Sequence, residues 1–231
     1  MMNTISFHDK QTDMRLIKIL KDNVAPAVVK RKEGKLGAFP DDVVVDYEVI
    51  SQHIFDIHDC KSDGSIVCDR NSADRAATYI NGTSSAPYNL LFIKYDEFIN
   101  QFRKSPNEDW SKDLKRADYI VCVSDNNDYF IIHELSVGNI KSKGHDAKSQ
   151  FIGTLNFLMK IPEIKEYIYG CTTKKCIVSA RGCDDIKPSP RGIAAGFSRP
   201  YKIIPNPCEY KIPSLNKLGF TVWQGNIINI A

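Results

Sequence analysis

The strongest pattern of apolar and polar positions lies in the second half of the chain. Two runs rich in β-branched and aromatic residues, Tyr119 to Val123 and Tyr129 to Leu135, flank Ser124-Asp125-Asn126-Asn127-Asp128. Five turn-forming residues between two such runs predict an antiparallel hairpin. Helical spacing follows from Lys143 to Lys160, closed by Pro162, and Lys175 to Ala180 predicts a further strand. Asp184 to Pro200, with three Pro and two Gly, predicts a long loop carrying Lys187, Arg191 and Arg199. Phe220 to Ile230 predicts a final hairpin that turns at Gly225-Asn226.

The first half is less regular. Met14, Ile17 and Leu20 give Asp13 to Lys21 a helical stripe, and the Val- and Tyr-rich run Val43 to Ile50 predicts a strand. Asn89 to Arg103 predicts a strand leading into a short helix. With no internal repeat, low-complexity tract or Gly/Ser linker, residues 1–231 read as one domain: an irregular N-terminal extension, an α/β core with a mixed central sheet flanked by helices, and a C-terminal β-hairpin.

Composition narrows the class of protein. At 231 residues, 42% apolar and 26% charged, the chain can bury a full core without disulfide or metal staples. A formal charge of +3 does not by itself mark a nucleic-acid binder. Charges interrupt the N-terminal 21 residues, and apolar runs extend only a few residues, far short of the roughly 20 that span a bilayer. A soluble, cytoplasmic protein with no membrane partner is therefore expected. Seven scattered Cys residues suit reduced thiols better than a disulfide framework.

Centring the predicted turn on Asn126 places Asp118 opposite Glu134. Ile120, Cys122, Phe130 and Ile132 share their face, and the other face holds Tyr119, Val121, Val123, Tyr129, Ile131 and Leu135, with His133 its one polar member. Apolar residues on both faces predict a central hairpin covered on each side. Carboxylates facing each other across a ladder, with Cβ atoms about 5 Å apart, repel unless a cation lies between them. The alternative is a slipped register, with Asp118 paired to Lys115 or Arg116 and Glu134 in solvent.

An Asp at the start of one strand, a Glu-x-small polar triplet at the end of its partner, then a long helix and another strand resembles the PD-(D/E)XK nuclease superfamily. Ala117-Asp118 and Glu134-Leu135-Ser136 carry the likeness, with the helix from Lys143 and the strand at Lys175, across roughly positions 90–181. The resemblance implies a restriction-endonuclease-like fold in which Asp118, Glu134 and the Leu135 carbonyl bind Mg²⁺ or Mn²⁺. The activity it implies is hydrolysis of DNA phosphodiester bonds, in restriction or mobile-element defence. DNA is the implied partner, and a homodimer is compatible with it.

Two positions depart from that pattern. Ala117 stands where the motif has Pro, and Ser136 where it has the catalytic Lys. Lys148 falls on the apolar arc of the following helix with Phe151, Ile152, Leu155, Leu158 and Met159, either to reach the carboxylates in place of the missing Lys or to lay its stem over apolar surface with its amine in solvent. Gln150 has relatives in position within the superfamily, but the arc places it toward solvent. Asp96 and Glu97 are either a third acidic ligand or a charged helix start. Lys141 and Lys143, in an expected Gly138 to Gly144 loop, and Lys174, Lys175, Lys187, Arg191 and Arg199 are candidate phosphate contacts.

Other chemistry has weaker support. His53, His58, Cys60 and Cys68 lack the C-x2-C knuckle of a zinc site, and Cys171, Cys176 and Cys183 have no neighbouring His. No G-x-x-x-x-G-K or G-x-G-x-x-G loop is present, which argues against an NTPase or dinucleotide enzyme. Ser136 supports a non-enzymatic alternative, a nuclease-like fold that binds nucleic acid or protein without cutting.

Overall fold

The computed structural model of the chain describes residues 15–24, 26–27, 43–58, 65–69, 75–102, 115–124, 128–137, 140–181 and 208–231. Its first half contains α1 (Arg15–Ile19), running into a π-helical turn (Leu20–Val24), then β1 (Tyr47–Ile50), β2 (Ile54–His58), β3 (Val67–Cys68), β4 (Arg75–Asn81), β5 (Leu90–Lys94) and α2 (Tyr95–Asn100). The second half contains β6 (Tyr119–Val123), β7 (Tyr129–Val137), α3 (Ile140–Leu158), α4 (Pro162–Gly170), β8 (Thr173–Arg181), β9 (Cys208–Tyr210), α5 (Pro213–Asn216), β10 (Thr221–Gln224) and β11 (Ile227–Ile230). No helix among the described residues is long and apolar enough to cross a membrane.

The architecture is α/β, with a seven-stranded mixed sheet in the order β1-β5-β6-β7-β8-β10-β9 and a four-stranded sheet in the order β11-β4-β2-β3. At the centre, β5, β6 and β7 form an antiparallel meander, and α3 and α4 return the chain so that β8 runs parallel to β7. Every residue of β5 and β6 is buried. Alternation sends Leu91, Ile93, Ile120, Cys122, Phe130 and Ile132 toward Phe151, Leu155 and Leu158 of α3 and Ile164 and Ile168 of α4. Phe92, Val121 and Ile131 point the other way, against Phe55, Ala77 and Tyr79 of the second sheet. There the Tyr79 ring stacks on Phe55 at 5.3 Å and meets Phe92 edge-on at 5.1 Å.

The structure corrects several sequence expectations. Residues 220–230 are not a hairpin: β10 pairs with β8 and β9 in the large sheet, while β11 pairs with β4 in the small one. At the crossing, Gly225 N–H donates to the Val178 carbonyl and the Asn226 carbonyl accepts from Thr78 N–H, so adjacent residues belong to different sheets. The N-terminal half contributes β2, β3 and β4 rather than an irregular extension; buried Asp56 and His58 obscured the strand pattern. Pro162 opens α4 at its first turn, where a missing N–H costs nothing. The backbone is helical from Ile140, within the expected Gly138 to Gly144 loop. The expected Val43 to Ile50 strand is confined to Tyr47–Ile50. The basic loop from Asp184 to Pro200 lies outside the described residues.

His133 ties the two sheets together. It is fully buried, with Nδ1 2.8 Å from the Tyr79 hydroxyl on β4 and Nε2 2.9 Å from Ser179 Oγ on β8. Ser179 Oγ donates to the Gly225 carbonyl at 2.6 Å, so it accepts from Nε2–H, and Nδ1 accepts from the Tyr79 O–H. The neutral imidazole satisfies the whole chain, and burial pulls its pKa down from 6.5 to about 3.

Because the unfolded chain takes up this proton near pH 6.5 and the folded one only near 3, His133 supports stability above pH 6.5 and withdraws that support as pH falls toward 3. Urea unfolding of the wild type should lose free energy over that window. His133→Ala should unfold about 1–3 kcal/mol more easily at pH 7, because the Tyr79 hydroxyl is left buried without its acceptor, and should lose the His133 share of the acid slope. An unchanged acid limb in the variant contradicts this assignment.

Candidate functional site

At one end of the β6–β7 ladder the chain gathers its acidic residues. The ladder pairs Tyr119 with His133 and Ile120 with Ile132, the register expected from a turn centred on Asn126. One step further, Asp118 N–H donates to Glu134 Oε2 at 3.3 Å, and Leu135 N–H donates to Asp118 Oδ2 at 2.8 Å. Each carboxylate is thereby held by a backbone amide of the opposite strand. The Asp118 carbonyl accepts from Tyr95 and Asp96 N–H at 2.9 and 3.3 Å, which brings the start of α2 to the same place.

Asp96, Asp118, Glu134 and Asp146 line one cleft of about 390 Å³ with Lys115, Arg116, Ser149 and Gln150. Glu134 is the most enclosed of the acids. Burial and then the Asp118 charge push its pKa up to about 9, with Asp96 adding to the effect; a hydrogen bond from Gln150 and the Asp118 N–H act in the opposite direction. Burial and the Asp118 charge thus both favour the protonated form of Glu134.

The wall opposite the strands is α3, and one residue sets its distance. A Cβ on Gly153 would lie 2.6 Å from the Lys115 carbonyl oxygen and 2.7 Å from Lys115 Cβ. The next residue, Thr154, accepts from Ala117 N–H at 3.0 Å through Oγ1. Further out, Lys115 Nζ donates to Ser149 Oγ at 2.9 Å, and Ser149 Oγ donates to the Asp146 carbonyl at 2.7 Å. The Lys115–Ala117 segment is thus clamped to α3 just before Asp118.

Lys148 is not brought to this site. It is exposed and does not line the cleft, whereas Gln150, expected toward solvent, faces Glu134. At about 100° per residue the two stand roughly 200° apart around α3, so the rotation that admits one excludes the other. Asp96, whose role was open, lines the cleft. Ser136 is buried, and its hydroxyl has no hydrogen-bond partner among the described residues. The Leu135 side chain packs between the sheets.

The residues considered for zinc are placed as follows. His53 Nδ1 lies 3.0 Å from the Asn81 carbonyl, Cys171 Sγ donates to the Tyr167 carbonyl at 3.4 Å, and Cys176 is in the helix-side core. No group of three or more His, Cys, Asp or Glu side chains arranged to hold a metal occurs among the described residues. Cys60 and Cys183 lie outside them.

Two measurements test this geometry. Gly to Ala inside a helix normally adds up to about 1 kcal/mol of stability; Gly153→Ala should instead destabilise, because backbone cannot move aside cheaply, and its unfolding midpoint should fall. Glu134, protonated in the folded protein and ionised in the unfolded one between about pH 4.5 and 9, costs stability increasingly as pH rises through that window. In EDTA, Glu134→Gln should flatten this alkaline decline; an unchanged decline would show that another group causes it.

No protein-family model, curated protein or solved structure matches the chain.

Proposed function

We propose that the chain is a metal-dependent nuclease that hydrolyses DNA phosphodiester bonds, in restriction or mobile-element defence. The observation that carries the reading is the pair Asp118 and Glu134, held face to face in one cleft by each other's strand. The order of three antiparallel strands, helix and parallel strand around them supports the same superfamily resemblance.

The donor set suits a hard divalent cation. Mg²⁺ is commonly held by one or two carboxylates, with water and substrate phosphate completing its shell. Asp118 and Glu134, with the Leu135 carbonyl, would hold it, and Asp96 lies within the same cleft. Charge repulsion and burial, which disfavour the ionised form of Glu134, are what a dication would offset. When bound, Mg²⁺ or Mn²⁺ supplies polarisation of a phosphate oxygen and a more acidic water.

The chain's own residues do the rest. Asp118 and Glu134, each held by a backbone amide of the opposite strand, would fix where the cation sits. Gln150 holds the Glu134 carboxylate from the helix side. Lys115, anchored on Ser149, and Arg116 bring positive charge to a cleft with four acids in its lining, where a phosphodiester must approach. Lys148 has no part in this arrangement.

A second reading has one specific observation in its favour. Ser136 is neutral where the superfamily motif carries Lys, and Lys148 faces away, so the same cleft would serve a module that binds nucleic acid or protein without cutting it.

Purified protein incubated with plasmid and with single-stranded DNA, in Mg²⁺ or Mn²⁺ against EDTA, separates the two. Under the nuclease reading, cation-dependent products appear, Asp118→Asn and Glu134→Gln lower the rate by at least about a hundredfold, and Lys148→Ala leaves it nearly unchanged. DNA retained in a gel shift with no product in any cation identifies the binding module and ends the nuclease reading.

A further inference from the structure

A second cavity lies on the opposite face of the large sheet from the carboxylates. It opens where β10 and β11 part to join different sheets, and its volume is about 180 Å³. Ile177, paired with His133, and the half-buried Trp223 form one wall; Ile227 and Ile228 form the other. Two polar groups reach it, Lys175 from β8 and Asn229 from β11.

Lys175 is the unusual member. Its ammonium lies 6.0 Å from the centroid of the Tyr129 ring, and no carboxylate lies within ion-pairing distance among the described residues. Burial lowers its pKa, the mark of a cation partly withdrawn from water with only a ring face beside it. Such a charge is stable only at a cost unless an anion joins it. Apolar walls beside it set the rest of the ligand: an apolar cavity of about 150 Å³ accommodates a benzene ring, and this one is slightly larger.

We propose that this cavity is a binding site for a small aromatic carboxylate, with the ring between Trp223 and the isoleucines and the carboxylate on Lys175 Nζ. The Asn229 amide supplies a second donor to the same end. Nothing in this site depends on the nuclease reading, since Lys175 and Glu134 lie on different strands and on opposite faces of the sheet.

Benzoate and its neutral isostere benzamide are the probes, followed by the Trp223 indole N–H resonance, which is assigned by its loss in Trp223→Phe. Benzoate should shift that resonance saturably and bind roughly tenfold or more tightly than benzamide, the advantage of a charge-assisted hydrogen bond. Lys175→Met should abolish the preference. Ile227→Trp, at a position 46% exposed and therefore tolerant of change, should fill the mouth and block both probes. The proposal is overturned if benzoate produces no saturable shift, if the two probes bind equally to the wild type, or if Lys175→Met or Ile227→Trp binds benzoate as the wild type does.

Discussion

Two backbone amides, of Asp118 on the Glu134 carboxylate and of Leu135 on that of Asp118, set the geometry on which the cleft depends. They extend the β6–β7 ladder by one step, and the ladder decides which side chain faces which layer. With a side-chain period of two, a slip of one residue would send Glu134 between the sheets and His133 into the cleft. The apolar residues on both faces of the hairpin make such a slip expensive, because every buried side chain would change layers together. Core packing and site geometry are therefore one constraint.

That constraint places two titratable neighbours in opposite situations. His133 is neutral because donors and acceptors inside the protein meet both ring nitrogens. Burial and the Asp118 charge oppose the ionisation of Glu134. The first arrangement is closed and needs nothing further, while the second is relieved by a positive charge arriving from outside. Function is to be sought at the unresolved member of the pair. The same reasoning draws attention to Lys175, a desolvated cation on the other face of the sheet.

The hairpin was legible in the sequence because five turn-forming residues separate two β-rich runs, and the pairing of Asp118 with Glu134 followed from centring that turn on Asn126. The helix phase was harder to read. Lys148 lies near Leu155 on a helical projection, but it is exposed, and Gln150 takes the inward position. Residues Gly225-Asn226 between two short apolar runs suit a tight hairpin equally well as a crossing between sheets, and only partners far away in sequence distinguish the outcomes. The second sheet was obscured for a related reason: Asp56, His58 and Asn81 are buried polar residues, Asp56 accepting from Thr78 of β4 and Asn81 donating to the Gln52 and Tyr88 carbonyls.

The crossing at Gly225 also bears on the order of events during synthesis. Strand β4 pairs in parallel with β11, its partner roughly 150 residues later, and Gly82 N–H donates to the Ile230 carbonyl across the same interval. As the chain leaves the ribosome, β2, β3 and β4 are made long before β11, and one side of β4 must wait for it. The β5–β8 core can assemble from nearer contacts in the meantime, with its sheet-facing side still incomplete. Closing so distant a parallel pair is slow by its topology, which makes the unfinished small sheet the stage most exposed to mispairing with another chain.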